Sequence, residues 1–345
     1  MTQLPSSRAL SLAAVLAAAL VPSAAGAQGI ELDLYRGAET SEDGFAISSP
    51  TDRGHLRPGF QLHLDYGLRP LVDRTVAPRI DLVEHMATGR IVGSFGLFDR
   101  FVVFASVPVV FVMEGDATGD QIQADGAGLG DVTVGSRFRL VGGPDELFRF
   151  ALQLTAGIPT AEAVDSDQLF RGEAGVTFQP ELLAELRPGP FRLTLNGGAR
   201  VRQEVEIPDG ASPDVALGQE LTWGIGVGLF VLPDLLEVRV EGYGAYGLRN
   251  PGQALGNPAE ALAGVRVTPL PGWTFGLAAG PGIGRGYGVP AFRGVVTVGW
   301  AEPAGDPWYP RWPEAEEEVA ANGGAAGPGA GAGGPDGQSV EGAAA

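Results

Sequence analysis

The sequence predicts an all-β protein, an antiparallel transmembrane β-barrel of about 12 strands, with 10 or 14 as alternatives. Three observations predict it. Strand-like segments follow one another from Arg57 to Trp300. Their connections alternate short and long, the rim asymmetry of a closed barrel with an even strand count. After the first residues no stretch approaches the ~20 consecutive apolar residues of a membrane-crossing helix. A spanning chain without one must close its strands, because lipid satisfies no backbone hydrogen bonds.

The short connections are Phe98 to Arg100, Gly142 to Glu146, Pro188 to Pro190, Leu232 to Asp234 and Pro269 to Pro271, rich in turn-forming Pro, Gly and Asp. The long ones are Val72 to Pro78, Gly115 to Ala127, Thr160 to Arg171, Glu206 to Pro213, Arg249 to Gly256 and Arg285 to Pro290.

Within the strands, side chains should alternate between lipid and interior. From Gly59 to Tyr66, Phe60, Leu62, Leu64 and Tyr66 oppose Gln61, His63 and Asp65. From Asp131 to Leu140, Val132, Val134, Phe138 and Leu140 oppose Asp131, Thr133, Arg137 and Arg139. From Phe191 to Arg202, Phe191, Leu193, Leu195, Ala199 and Val201 oppose Arg192, Thr194, Asn196, Arg200 and Arg202. Arginines on one face of a strand are costly in lipid and must face a lumen. Facing acids are at hand in Glu181 and Glu185, in Glu220, and in Glu237 and Glu241 beside Arg239. The expectation is an interior ladder of paired charges, since a buried unpaired charge is poorly compensated. Phe101 to Met113 breaks the pattern by being apolar on both faces, as in a buried strand of a soluble sandwich. Phe292, Val296, Val298 and Trp300 end the periodic region on an aromatic.

Residues 1–27 carry Arg8, an apolar run from Ala9 to Val21 and a small-x-small ending at Ala25, Gly26 and Ala27, the pattern of a secretory signal. Residues 28–54 form a lead-in that either lies in the periplasm or folds into the barrel mouth. The barrel is expected over 55–300, and 301–345 form a Pro/Trp, acidic and then Gly/Ala-rich tail that cannot bury a core. With an even strand number both termini are expected in the periplasm, on the short-turn side, and the protein in the outer membrane.

The chain of 345 residues has 54 Gly, 27 Pro and no Cys, so no disulfide framework supports it. A net charge of -18 argues against nucleic acid. His55, His63 and His85 lack metal-ligand spacing, and no cofactor or metal motif is present. His85 and Ser94 are the one pair offered to a hydrolase reading, without further support. The acidic loop Glu114 to Asp131 lacks EF-hand spacing.

Several stretches resemble the amino-terminal barrels of OmpA-like outer-membrane proteins of myxobacteria and related bacteria: Ser49 to Val72, Leu97 to Val109, Ala124 to Leu140, Gly175 to Leu186 and Gly280 to Trp300. The resemblance implies a barrel in the outer membrane, with a role in envelope structure or solute passage. The Asp-rich repeats and peptidoglycan-binding domain of that family have no counterpart here. Two functions are therefore expected of the barrel: a passive pore or transporter-like channel for small polar solutes, or a closed structural barrel whose loops or tail bind envelope partners. Lipid is the partner of the outer face in both, and no enzymatic activity is expected. Arg137, Arg139, Glu181, Glu185, Arg192, Arg200, Arg202, Glu220, Glu237, Arg239 and Glu241 are the expected lumen lining.

Overall fold

The computed structural model describes residues 29–73, 80–116, 126–144, 146–165, 170–207, 215–233, 235–249, 251–252 and 254–303. The expected signal segment and the tail from residue 304 lie outside the described residues.

Twelve strands form the wall: β1 (Pro58–Asp73), β2 (Ile80–Leu97), β3 (Phe101–Glu114), β4 (Val132–Val141), β5 (Phe148–Ile158), β6 (Thr177–Leu186), β7 (Phe191–Arg200), β8 (Glu220–Leu232), β9 (Leu236–Gly247), β10 (Ala259–Leu270), β11 (Trp273–Gly280) and β12 (Phe292–Ala301). Each pairs antiparallel with its sequence neighbours. β12 returns to β1, with Leu62 opposite Val298 and Leu64 opposite Val296, which closes the ring. Closure leaves no edge strand for lipid to strip of hydrogen bonds.

The five short connections are tight turns at one rim. At the β2–β3 turn, Phe98 and Asp99 both have positive φ, 56° and 54°, left-handed backbone within the three-residue connection between the paired Leu97 and Phe101. Phe98 carries this uncommon conformation while its N–H donates to His55 Nδ1 at 3.0 Å and its ring stacks on the imidazole. The long connections meet at the other rim. They hold the two-residue strand pieces at Gly128–Leu129 and Gly282–Ile283, the hairpin of Val205–Ile207 with Val215–Leu217, and the short helix α1 (Thr160–Val164).

The outer face is apolar. Ile91, Phe111, Leu182, Leu195, Val227, Val240, Leu277 and Val296 are all exposed on it. Near the short-turn rim Phe60 meets Trp273 edge-on at 5.8 Å and Trp300 at 6.4 Å, an aromatic group of the kind that sits at a membrane interface. The wall is amphipathic by alternation, as the sequence predicts. In β3 the buried set is Val102, Phe104, Ser106, Pro108, Val110 and Met113.

The interior is occupied by the chain's own residues. Residues 29–57, which take in most of the lead-in expected over 28–54 in the periplasm or at the mouth, run through the lumen from one rim to the other. Ile30 and Leu32 pack at the long-connection rim against Val83, Met86, Val110, Met113, Phe170, Leu217 and Tyr287. This explains the apolar inner face of β3: Val110 and Met113 face protein, not water. At the other rim the Arg57 carbonyl accepts from the Gly96 N–H, and Pro58 begins β1. Pro58 and Ala301 lie at the short-turn rim, and a crossing of the barrel separates residue 29 from them.

Val240 lies mid-strand on the outer face at 53% exposure. Val240→Arg is expected to cost about 2–4 kcal/mol, as a cation near the bilayer midplane does, and Val240→Leu almost nothing. Reversible urea unfolding from lipid vesicles measures both.

Candidate functional site in the barrel lumen

The lumen is a contact surface between wall and threaded segment, and the segment is built to fit it. Thr40 to Asp43 makes a turn: the Asp43 N–H donates to the Thr40 carbonyl, and Ala38 and Phe45 bond across it, both at 3.0 Å. The fully buried Asp43 carboxylate holds this turn, accepting from the Thr40 N–H at 2.9 Å and from the Ser49 N–H and Oγ at 2.8 Å. Asp43 then faces Arg137 of β4 in a two-pronged contact, Nη1 to Oδ1 and Nη2 to Oδ2, each 3.0 Å. Glu39 reaches the same guanidinium at 2.7 Å. Planar guanidinium and carboxylate match in this geometry.

Other parts of the segment are held as firmly. Arg139 donates to Asp52 at 2.6 Å. Arg90 of β2 bonds the Tyr35 carbonyl at 2.9 Å and lies 3.6 Å from Glu31 and 3.8 Å from Asp33. Arg293 of β12 bridges Asp33 and Asp65 at 3.0 Å each and Glu260 at 2.7 Å. Glu241 of β9 accepts from the backbone N–H groups of Phe45 and Ala46 at 3.0 and 2.7 Å. His63 of β1 bonds the Tyr35 hydroxyl at 2.8 Å and the Ala38 carbonyl at 3.0 Å. Tyr35, Phe45 and Ile47 form an apolar cluster with Tyr243, Leu262, Ala278 and Val295. Glycines of the wall make room for it: a Cβ at Gly224 would lie 2.5 Å from Ile47 Cδ1, and one at Gly276 2.8 Å from Phe45 Cε1.

The expected ladder of charges is present on the wall. Glu185 accepts from Arg149 at 2.5 Å and from Arg192 at 2.7 Å. Glu220 binds Arg200 at 3.4 Å and also Arg202, which reaches Glu173 at 3.0 Å. Glu237 takes Arg239 at 3.1 Å and Arg266 at 3.0 Å, and Arg239 also meets Glu241. Of the eleven residues expected to line the lumen, Arg192, Arg200, Arg202, Glu185, Glu220, Glu237, Arg239 and Glu241 are joined through wall and rim partners. Arg137 and Arg139 instead find their carboxylates on the threaded segment. Glu181 has no ion pair among the described residues and borders two small polar cavities, about 60 and 90 Å³, beside Arg36, Gln179 and Asn196. These have room for water and not for a solute path. Sequence reading missed Arg90, Arg149, Arg266 and Glu260, whose inward phase follows from the same two-residue period.

The hydrolase pair does not assemble. His85 and Ser94 lie nine residues apart on β2, roughly 30 Å at strand rise, and His85 bonds the Tyr66 hydroxyl at 2.6 Å. Among the described residues no group of three or more His, Cys, Asp or Glu is placed to hold a metal ion.

At the long-connection rim Asp131 accepts from the backbone N–H groups of Ala161 at 3.1 Å and Glu173 at 2.7 Å. Burial pushes its carboxyl up to about 7, with Glu31 and Glu173 adding repulsion and the two N–H groups opposing the rise.

A closed antiparallel barrel, apolar outside and charged within, has the architecture of a β-barrel that crosses a membrane. The chain belongs to the family described as "Putative MetA-pathway of phenol degradation", which it matches over residues 51–277. Its fold is that of an outer membrane channel from Pseudomonas putida F1, with TM-score 0.56 and 10% identity over 73% of this chain and 97% of that one. Weaker likenesses are to the NanC porin (TM-score 0.45, 8% identity, 70% and 97% of the two chains) and to the monoaromatic hydrocarbon channel CymD (0.39, 8%, 74% and 90%). No curated protein matches the sequence.

Two outcomes follow from this geometry. Asp43→Ala leaves Arg137 buried beside one carboxylate fewer and frees the turn. Breaking such a buried pair costs about 3–5 kcal/mol, so trypsin is expected to cut after Arg36 far faster while the strands stay protected. The second concerns pH. The folded Asp131 carboxyl keeps its proton to about 7, while its ordinary value is 3.8. Ionisation therefore favours the unfolded chain: this contribution to stability is full below pH 3.8 and is lost as pH rises through 7. Asp131→Asn is expected to flatten that arm of the denaturant midpoint measured against pH.

Proposed function

We propose that the protein is a plugged outer-membrane conduit for small polar solutes, in which residues 29–57 are the plug and passage requires them to shift. One observation carries this reading. The segment that fills the lumen continues into β1 at Pro58 but is bonded to the wall through noncovalent contacts that can exchange, chiefly the Arg137, Arg139, Arg90 and Glu241 contacts. A barrel that only needed filling could close on side chains, as barrels of ~8 strands do. The family's description names phenol degradation, and a small polar aromatic is within the range of such a conduit. The short-turn rim is assigned to the periplasm, which puts Pro303 there and residue 29 at the outer rim.

The second reading, a closed structural barrel, is favoured by how closely the plug is bonded to the wall. Planar-bilayer recordings separate the two. The conduit reading predicts small, flickering conductance for the wild type and several-fold larger, steadier steps for Glu39→Gln/Asp43→Asn/Asp52→Asn. Silence in both, from protein that migrates as a folded barrel, would favour the structural barrel.

A further inference from the structure

The charges of the wall are unevenly distributed around the ring. Residues 86–97, 101–113, 132–141 and 148–158, which make up most of β2 to β5, contain no Asp or Glu but contain Arg90, Arg137, Arg139 and Arg149. Arg149 is neutralised from β6 by Glu185 at 2.5 Å. Among the described residues, Arg90, Arg137 and Arg139 take the carboxylates they contact, Glu31, Asp33, Glu39, Asp43 and Asp52, from the plug. Arg137 is fully buried and Arg90 nearly so. They run along one arc of the wall: Arg139 beside the short-turn residues Asp99 and Gly142, Arg137 in mid-wall opposite Val102, and Arg90 higher, opposite Pro108. The rest of the ring carries its own acids, Glu185, Glu220, Glu237, Glu241 and Glu260, paired with its own arginines.

We infer that this arc is a binding track for small carboxylate anions, and that the plug's acids occupy it as built-in competitors. The inference rests on the conduit reading for its transport meaning, but the binding site is independent of it. Each plug carboxylate marks a position where a guanidinium already meets a planar anion, and at Arg137 the contact is two-pronged. A solute carboxylate that took those positions would release the plug and be held by the arginines it exposed. Anions would then be favoured in the open lumen, because that arc would hold three cations without counter-charges.

Two measurements on the full folded chain test this. In the first, trypsin cleavage after Arg36 is timed in benzoate, in chloride at equal ionic strength and in neutral benzamide. Benzoate is expected to speed cleavage several-fold over both controls, and equal rates in benzoate and chloride would overturn the site. In the second, reversal potentials across a potassium chloride gradient are read for Glu39→Gln/Asp43→Asn/Asp52→Asn. A clear shift toward chloride supports the inference, and conductance that is unselective or favours potassium overturns it. Absence of any conductance together with benzoate-specific cleavage would support the carboxylate site while removing the conduit reading.

Discussion

The structure depends on one constraint: guanidinium groups inside a closed barrel have to meet carboxylates, and the wall alone does not supply enough in the right places. From β6 to β10 the strands balance themselves, with Glu185 serving Arg149 and Arg192, and Glu237 serving Arg239 and Arg266. From β2 to β4 they do not. The deficit is met by a segment of irregular backbone whose Asp43 is tied into its own turn before it reaches Arg137. Plug and wall are electrostatic halves of one interior, and neither is complete without the other. The same constraint accounts for the apolar side of the plug. A segment anchored by charges inside the lumen also buries Tyr35, Phe45 and Ile47, and the wall provides Tyr243, Leu262 and the side-chain-free spaces at Gly224 and Gly276.

The wall was legible in the sequence because strand side chains alternate with period two and turns announce themselves by composition. Phe60, Leu64 and Tyr66 against Gln61, His63 and Asp65 needed nothing beyond that rule. The plug was not legible, because its partners lie far along the chain: Asp43 meets Arg137, and Phe45 meets Glu241, 196 residues away. No local pattern encodes such contacts. Two indirect signals existed. Val110 and Met113 gave β3 an apolar inner face that no aqueous lumen would want, and Arg137 and Arg139 stood on a strand whose neighbours hold no acid over residues 101–113 and 148–158. Both point to a missing internal partner. Glu181 was expected to pair with the arginines of β7, but Arg200 is drawn to Glu220 and Gln179, and Glu181 is left beside the small polar cavities.

Function follows from the same balance. On the proposed reading, whatever competes for the arginines or the plug's carboxylates changes how full the lumen is. The small cavities around Arg36 and Glu181 show that the fit is close but incomplete, and the continuity of the segment with β1 at Pro58 tethers it to the barrel however far it shifts.

The most direct test of the central claim is whether the lumen is occupied by the chain's own residues. The protein has no cysteine, so Ala38→Cys places one thiol at a position that is 1% exposed deep in the plug, and Val164→Cys places one at 72% exposure on the long-connection rim. In folded barrel in lipid, a charged thiol reagent should label position 38 orders of magnitude more slowly than position 164. Equal labelling rates at the two positions would mean that residues 29–57 do not reside in the lumen, and that the arginines of β2 to β4 are neutralised by something other than the plug.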